Sequence, residues 1–159
     1  MTAHNGLKAS VLFVIMVAGA SLLSQEQTTK KISASALPRA VRKAAAEQSK
    51  GATVLGYSKE IEKGKTYYEV EMKRDGLSEN IVMDSTGGVT EIEREVPTDS
   101  LAPAVRDGLQ KAAGEGKIVK VETLTKHGNL VAYEAQVRKG SKISEVQVGP
   151  DGGTLAREQ

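Results

Sequence analysis

Two stretches of the chain carry apolar residues at the three- and four-residue spacing of an amphipathic helix. The first stripe consists of Leu37, Val41, Ala44 and Ala45, and the second of Leu101, Val105, Leu109 and Ala112. Ser35 and Ser100 precede the stripes as N-caps, and Gly51 and Gly114 follow them as stop signals. The pattern predicts two short helices whose apolar faces need a sheet to cover them.

After each helical stretch the apolar spacing changes to two, which indicates strands. The first run has Leu55, Tyr57, Ile61, Tyr68, Val70, Met72, Ile81, Met83, Val89 and Ile92. The second has Val119, Val121, Val131, Tyr133, Ala135, Val137, Val146 and Val148, with a fragment at Thr154 and Leu155. Glycine-containing turns separate the segments. We predict four strands after each helix, in antiparallel sheets with one apolar and one polar face.

The two halves also match residue by residue. Leu37, Ala40, Val41 and Arg42 recur 64 positions later, whereas the pairs at 68–69 and 87–88 recur at 133–134 and 152–153, an offset of 65. The change of offset predicts a one-residue insertion near the turns at Gly64 and Gly128. We therefore predict an α+β fold of two tandem repeats, each a helix packed on a four-stranded antiparallel sheet, at residues 35–96 and 97–159. The charged segment from Glu93 to Ser100 is interpreted as their linker.

The first twenty residues have the pattern of a secretory signal peptide. Lys8 is followed by an unbroken apolar run from Val11 to Val17 and by the small residues 18–20 of a cleavage site. The wider stretch, 11–23, is shorter than the roughly 20 apolar residues that a membrane-spanning helix needs, so an uncleaved anchor is the weaker interpretation. We predict a periplasmic or secreted protein with a flexible N-terminal segment at 21–34.

Composition narrows the chemistry. The 159 residues carry a formal charge of +2 and no Cys, which excludes thiol catalysis, thiolate metal sites and the lipid-attachment residue of a lipoprotein. The basic and acidic residues are nearly balanced and interspersed, unlike the basic footprint of a nucleic-acid-binding protein. Only 3% of the residues are aromatic, so the core is predicted to be aliphatic.

Catalytic motifs are missing from the sequence. His127 lies in a Lys-His-Gly-Asn turn, where an exposed loop role is expected. Asp84-Ser85-Thr86-Gly87 is one residue longer than the aspartic-protease signature and has no matching second copy at Asp151. We predict a non-enzymatic protein without cofactor or metal.

The chain resembles the PepSY-like repeat of exported bacterial proteins, in the group described as beta-lactamase-inhibitor-like. The resemblance rests on Leu37-Pro38-Arg39-Ala40-Val41, Tyr68-Glu69-Val70 and Asp84-Ser85-Thr86-Gly87-Gly88-Val89, and on their counterparts in the second half. It implies a helix on a four-stranded antiparallel sheet, in tandem, with no catalytic residues. The PepSY group is thought to bind or restrain peptidases, and the related inhibitor fold blocks an enzyme with a sheet face.

The polar faces of the predicted strands are the candidate binding surface. Its candidate residues are Tyr67, Glu69, Glu71, Glu134 and Gln136. Tyr67 is expected to be an exposed aromatic residue, a type enriched at interfaces, whereas rows of glutamate are also typical of an ordinary solvated face. We predict an exported binding module for a protein or peptide of the cell envelope, of which an enzyme inhibitor or regulator is one form. The alternative is a structural protein or one that binds a cation or small ligand.

Overall fold

The computed structural model describes residues 28–155 and folds them into eight β-strands and two α-helices. The strands are β1 (Thr28–Ile32), β2 (Thr53–Glu62), β3 (Lys65–Arg74), β4 (Leu77–Asp84), β5 (Val89–Glu95), β6 (Lys117–Lys126), β7 (Asn129–Lys139) and β8 (Lys142–Val148). The helices are α1 (Arg39–Gln48), between β1 and β2, and α2 (Pro103–Ala113), between β5 and β6. The predicted signal peptide at 1–20 lies outside the described residues.

The strands of residues 28–155 form one antiparallel sheet in the order of the sequence, from β1 to β8. The predicted α+β class is confirmed. The second run contributes three strands and a single bridge between Val148 and Thr154 in place of a fourth. The two runs of strands share this one sheet, so they do not form two sheets that face each other.

The predicted linker, residues 93–100, begins within a central strand. Glu93 and Glu95 belong to β5, which pairs with β6 along five positions from Glu91–Lys126 to Glu95–Glu122. The linker prediction was wrong for residues 93–95, because four of the last five residues of β5 are charged and a run of charge resembles an exposed connection. Their alternation with Ile92 is nevertheless that of a strand with one buried face.

The segment at 21–34, predicted to be flexible, contains strand β1. Residues 28–32 pair with β2 from Thr28–Ile61 to Ile32–Tyr57. Ile32 packs against the first hydrophobic core. Strand β1 itself has one large apolar residue and two lysines, which is too polar for the alternation rule but suits the edge of a sheet.

Both helices begin later than the serine caps predict. Ser35 lies in a 3-10 turn, and α1 begins at Arg39 after Pro38. The Ser100 hydroxyl donates to the Pro97 carbonyl oxygen at 2.6 Å, within a second such turn. Neither serine therefore caps its α-helix.

Each helix packs on its own hydrophobic cluster. The first cluster consists of Leu37, Val41, Ala45, Tyr68, Val70, Met72, Ile81 and Met83. The second consists of Leu101, Val105, Leu109, Val121, Ala135, Val137 and Val148. As the composition predicts, aliphatic residues dominate both clusters, with two methionines in the first.

The strand register places both helices on the same face of the sheet. Ile81, beneath α1, lies opposite Ile92, and Ile92 lies opposite Thr125 of β6. Val121, beneath α2, is four residues from Thr125 on the same strand and therefore points to the same side. We call this the near face and the opposite side the far face.

The change of offset between the two halves arises within a strand. The turns Lys63-Gly64 and His127-Gly128 both have positive φ at both residues and correspond at an offset of 64. In β7 the register passes from Thr125–Leu130 to Leu124–Ala132, which leaves Val131 as a bulge. The insertion predicted near the two turns is therefore a β-bulge, which sequence matching cannot locate to a single residue.

Candidate functional site: the far face of the sheet

All five candidate residues lie on the far face. Tyr67, Glu69 and Glu71 alternate along β3 with residues that pack beneath α1, and Glu134 and Gln136 alternate along β7 with residues beneath α2. The far face consists of these side chains and their cross-strand neighbours: Ser58, Glu60, Asn80, Val82, Glu91, Glu93, Glu95, Lys120, Glu122, Leu124, Lys126, Ala132, Glu145 and Gln147.

The two groups of candidate residues are not adjacent. Strand β3 is four strand spacings from β7 in the sheet, a separation of about 19 Å. Between them lie further carboxylates, above all Glu93 on β5 and Glu122 on β6. The sequence predicts Glu93 to be part of a linker, and it does not single out Glu122, although the alternation of Glu122 with Val121 was a usable signal.

Three glutamates on the far face are almost fully buried. The exposed fraction is 4% for Glu122 and 8% for Glu93 and Glu134, although neither described helix lies on this side. Central position in the sheet explains part of this burial, because each residue has neighbouring strands on both sides. Ionised carboxylates are seldom buried to this extent unless hydrogen bonds or ion pairs compensate.

Neutral side chains donate hydrogen bonds to three carboxylates of the far face. The Ser58 hydroxyl donates to Glu69 Oε2 at 2.8 Å, and the Gln147 amide donates to Glu134 Oε2 at 2.7 Å. On β4, the Asn80 side-chain amide donates a hydrogen bond to Glu93 Oε2 at 3.2 Å. These bonds fix the carboxylates without neutralising their charge.

Ion pairs hold three others, and each uses a lysine. Lys120 Nζ lies 2.8 Å from Glu122 Oε1. The other two pairs are Lys126 with Glu91 at 3.2 Å and Lys31 with Glu71 at 3.6 Å. In each pair the lysine is more exposed than the carboxylate. The Lys126–Glu91 and Lys31–Glu71 pairs form the solvated rim of the face, whereas the Lys120–Glu122 pair is largely buried.

Burial changes the acid–base behaviour of the carboxylates that have neutral partners. It raises the pKa of Glu134 to about 7, against the hydrogen bond from Gln147, with further repulsion from Glu145 and Glu122. Burial raises the pKa of Glu93 well above its usual range. Repulsion from neighbouring carboxylates, of which Glu122 acts most strongly, raises it further. Burial likewise raises the pKa of Glu69, although the Ser58 hydroxyl opposes it. Part of the far face therefore holds protons near neutral pH.

Tyr67 is half-buried rather than exposed, which corrects the expectation for this residue. It lies opposite Glu60 on β2 and Asp84 on β4. Flanking strands on both sides cover an aromatic side chain on an inner strand, which a one-strand pattern cannot anticipate. Its partly accessible ring still places an aromatic side chain next to the acidic part of the face.

The two residues considered for catalysis, His127 and Asp84, both lie at turns between strands. His127 is exposed in the β6–β7 turn at φ 49°. Asp84 Oδ1 accepts hydrogen bonds from the Thr86 amide at 2.8 Å, the Thr86 hydroxyl at 2.6 Å and the Gly88 amide at 3.0 Å. The carboxylate thus holds its own turn together. Among residues 28–155, no group of three or more His, Cys, Asp or Glu side chains is arranged to hold a metal ion.

No helix within residues 28–155 has the length and apolar character required to cross a membrane. This finding concerns the described part of the chain alone.

Comparison with known proteins gives a fold. No family model matches the chain, and no curated protein matches it. A BLIP-like protein from Bacteroides fragilis has 20% sequence identity and a TM-score of 0.55, over 76% of this chain and 84% of that one. A DUF2874 family protein from Bacteroides ovatus has 16% identity and a TM-score of 0.57, over 74% and 84%.

A third solved structure agrees. A protein from Bacteroides eggerthii, described as a candidate periplasmic protein, has 16% identity and a TM-score of 0.60, over 76% of this chain and 87% of that one. This description agrees with the localisation that the N-terminal sequence predicts. The chain therefore has the fold of these BLIP-like, DUF2874 and periplasmic proteins.

Proposed function

We propose that the chain is an exported, non-enzymatic binding module that holds a protein or peptide partner of the cell envelope against the far face of its sheet. The observation that carries the proposal is the difference between the two faces of the sheet. Both α1 and α2 pack on the near face, and the far face is a broad polar surface with an aromatic residue among its carboxylates. Such a mixture of aromatic and polar side chains suits a protein interface.

The far face is also prepared for binding. Hydrogen bonds hold the side chains of Glu69 and Glu134 in place before a partner arrives. Because an ordered side chain loses less conformational entropy on association, this arrangement favours specific recognition. Tyr67 and Gln136 are half-buried members of the candidate set, and a partner can contact them without breaking the ion pair of Glu71 or the hydrogen bonds of Glu69 and Glu134.

The resemblance to beta-lactamase-inhibitor-like repeats supplies the specific form of the proposal. In this form the module inhibits or regulates a peptidase or another enzyme of the periplasm. The fold shared with a BLIP-like protein supports it, as does the signal-peptide pattern of residues 1–20. The chain itself would supply a binding face and no catalytic group.

We also propose that the two halves arose as tandem copies of one PepSY-like unit. Arg42 donates to the Leu37 carbonyl oxygen at 3.1 Å, and Arg106 donates to that of Leu101 at 3.4 Å. The turns after β4 and β8 share a second pattern, in which the first residue of the turn donates its amide to the glycine carbonyl four residues later, at 2.9 and 2.8 Å. Matching contacts at matching positions support a duplication.

A photo-cross-linking experiment tests the binding face. The full chain, exported in its own host, would carry a photoreactive phenylalanine analogue at Tyr67 or, as a matched control, at Lys43. Lys43 is exposed on α1, the other side of the sheet. We expect a protein adduct from position 67 and none from position 43.

Two results would contradict the proposal. Adducts from position 43 alone would place the partner on the helices. Equal labelling at both positions would indicate random collisions rather than a binding face. A Gln136→Ala variant sharpens the positive result, because loss of the position-67 adduct in that variant would extend the contact to β7.

A further inference from the structure

The cross-strand pairs on the far face differ between the two long hairpins. In β2–β3, Ser58 lies opposite Glu69, and the serine hydroxyl donates to the carboxylate. In β6–β7, Glu122 lies opposite Glu134. Glu122 also lies opposite Glu95 on its other side. Like charges that face each other directly across strands destabilise a sheet.

Burial intensifies this repulsion, because water screens a buried pair less than an exposed one. Glu122, Glu134 and Glu93 are each at least nine-tenths buried. The ionisable groups around them come from several strands: Glu69 from β3, Glu91 and Glu95 from β5, Lys120 and Lys126 from β6, and Glu145 from β8. Lys120 pairs with Glu122, and Lys126 pairs with Glu91. The Asn80 amide donates to Glu93, and the charges that act most strongly on Glu93 are those of carboxylates.

We propose that strands β5, β6 and β7 form a pH-sensitive element, which protons on the buried glutamates hold together and which loosens as the pH rises through neutrality. Burial raises the pKa of Glu122 as well, although Lys120 opposes the change. Glu134 and Glu93, which have no lysine partner within residues 28–155, take up the protons. Above neutral pH all three carry charge across adjacent strands. The pairing of β2 with β3 remains, since the Ser58–Glu69 pair puts a single carboxylate at the corresponding position.

The sign of the pH dependence follows from linkage. The pKa of Glu134 is about 7 in the folded protein, against roughly 4.3 for glutamate in an unfolded chain. Between these values the folded state binds more protons than the unfolded state, so stability falls as the pH rises. The stabilising effect is fully present below the unfolded value and is lost as the pH passes through about 7. The element does not depend on any partner.

Amide hydrogen exchange of the full chain tests the proposal locally. Exchange would be followed at Leu124 on β6 and Ala132 on β7, with Val70 on β3 as the internal reference, after correction for intrinsic exchange rates. Between pH 6 and pH 8.5 we expect protection of β6 and β7 to fall by about tenfold or more, and that of β3 by less than about threefold. Equal changes in the two hairpins, or none in either, would overturn the proposal.

Two variants connect the effect to the carboxylates. Glu134→Gln keeps the shape and the hydrogen-bonding capacity of the side chain, and Glu122→Ser reproduces the Ser–Glu pair of the first hairpin. We expect either variant to remove most of the difference between the two hairpins, and Glu115→Gln, at an exposed position on the loop after α2, to retain it. A carbon-detected titration of the Glu134 carboxyl with a midpoint below about pH 5.5, or a full pH dependence in both variants, would also overturn the proposal.

Discussion

The C-terminal ends of α1 and α2 are capped in different ways in the two halves of the molecule. Arg74 donates to the carbonyl oxygens of Gln48 and Lys50 at 2.7 Å each, which closes the C-terminal end of α1. The same guanidinium and that of Arg94 both contact Glu79 Oε2 at 3.1 Å. Glu79 is 2% exposed, so the first half closes its helix with a buried ionic group.

The second half closes α2 with backbone alone. Gly114 has a φ of 57° and donates its amide to the Gln110 carbonyl oxygen at 3.1 Å. Lys139, 65 positions after Arg74, pairs instead with Glu115 on the surface at 3.0 Å. The same helix-on-sheet arrangement therefore tolerates either a salt-bridge cap or a glycine cap, provided that the last carbonyl groups have donors.

The turn that meets the start of each helix is tighter in the second half. A methyl group at Gly87 would approach the Ala40 carbonyl oxygen to 2.9 Å, whereas one at Gly152 would overlap the backbone of Ala104 and Val105. A methyl group at Gly108 of α2 would likewise overlap the backbone of Gly152. The second core contains small residues such as Ala135 where the first has large ones, and close backbone approach compensates for the smaller side chains.

Glycine substitutions in the two turns are expected to cause the largest losses of stability. We expect Gly152→Ala to lower the free energy of unfolding by about 3 to 5 kcal/mol, since overpacking adds to the strain of positive φ. For Gly87→Ala we expect about 2 kcal/mol, because its clash is milder. Urea unfolding of both variants measures the difference.

Gly76→Ala is the control for backbone strain alone. Gly76 has a φ of 84° and open space where the methyl group would lie, so we expect a loss of about 1 kcal/mol. If Gly152→Ala is no worse than this control, the tight contact between turn and helix in the second half does not limit stability.

Removal of the ionic cap comes next in size. Arg74→Ala removes one partner of Glu79 and the side-chain donor to the carbonyl groups of Gln48 and Lys50, so we expect a loss of about 2 to 4 kcal/mol. Lys139→Ala at the matching position removes an exposed pair, and we expect less than about 0.5 kcal/mol. Thermal unfolding of the two variants in parallel makes the comparison, and similar losses would refute the difference between the two caps.

A transplant of the second half's far-face pair into the first is the third change. Ser58→Glu places two carboxylates opposite each other at a site 2% exposed, so we expect a loss of about 1 to 3 kcal/mol at pH 8. The loss is expected to be smaller at pH 5.5, because both side chains can then share protons. Urea unfolding at the two pH values, with Ser144→Glu on the exposed part of β8 as control, measures it; equal losses at both pH values would contradict the charge mechanism.

Local patterns predict the elements that bury one face strongly. The helical stripes containing Val41 and Val105, and the alternation around Val70, identify α1, α2 and β3 because an apolar side chain at each buried position marks the period. Strand β1 is missed because its apolar content is Ile32 alone. Strand β5 is predicted at Val89 and Ile92, but its last three residues are assigned to the linker because charged residues dominate the pattern after Ile92.

The sequence predicts which candidate residues share the far face, but not how deeply the glutamates are buried or which residues lie opposite them. The sequence places Glu69 and Glu134 on polar strand faces, and both lie on the far face. The burial of Glu122 and its position opposite Glu134 depend on which strands pair and in what register, and a β-bulge in β7 shifts that register. Pairing over many residues is a property of the whole sheet, so no window of a single strand contains it.

The two closing turns give the smallest effect. Asp84 Oδ1 accepts three hydrogen bonds within its turn, whereas Asp151 Oδ1 accepts one, from the Gly153 amide at 2.9 Å. We expect Asp84→Ala to lower the free energy of unfolding by about 1 kcal/mol and Asp151→Ala by about 0.5 kcal/mol, because both turns are close to solvent.

The pH dependence separates these bonds from a general loss of turn structure. Hydrogen bonds from the Thr86 side chain, then from the Thr86 and Gly88 amides, lower the pKa of Asp84. Its stabilising effect is therefore present above the ordinary aspartate value of about 3.9 and is lost as the pH falls through the lowered pKa. In urea unfolding, the gap between wild type and Asp84→Ala should narrow in acid, and a gap that stays constant would mean that the turn loses stability through its backbone rather than through the carboxylate.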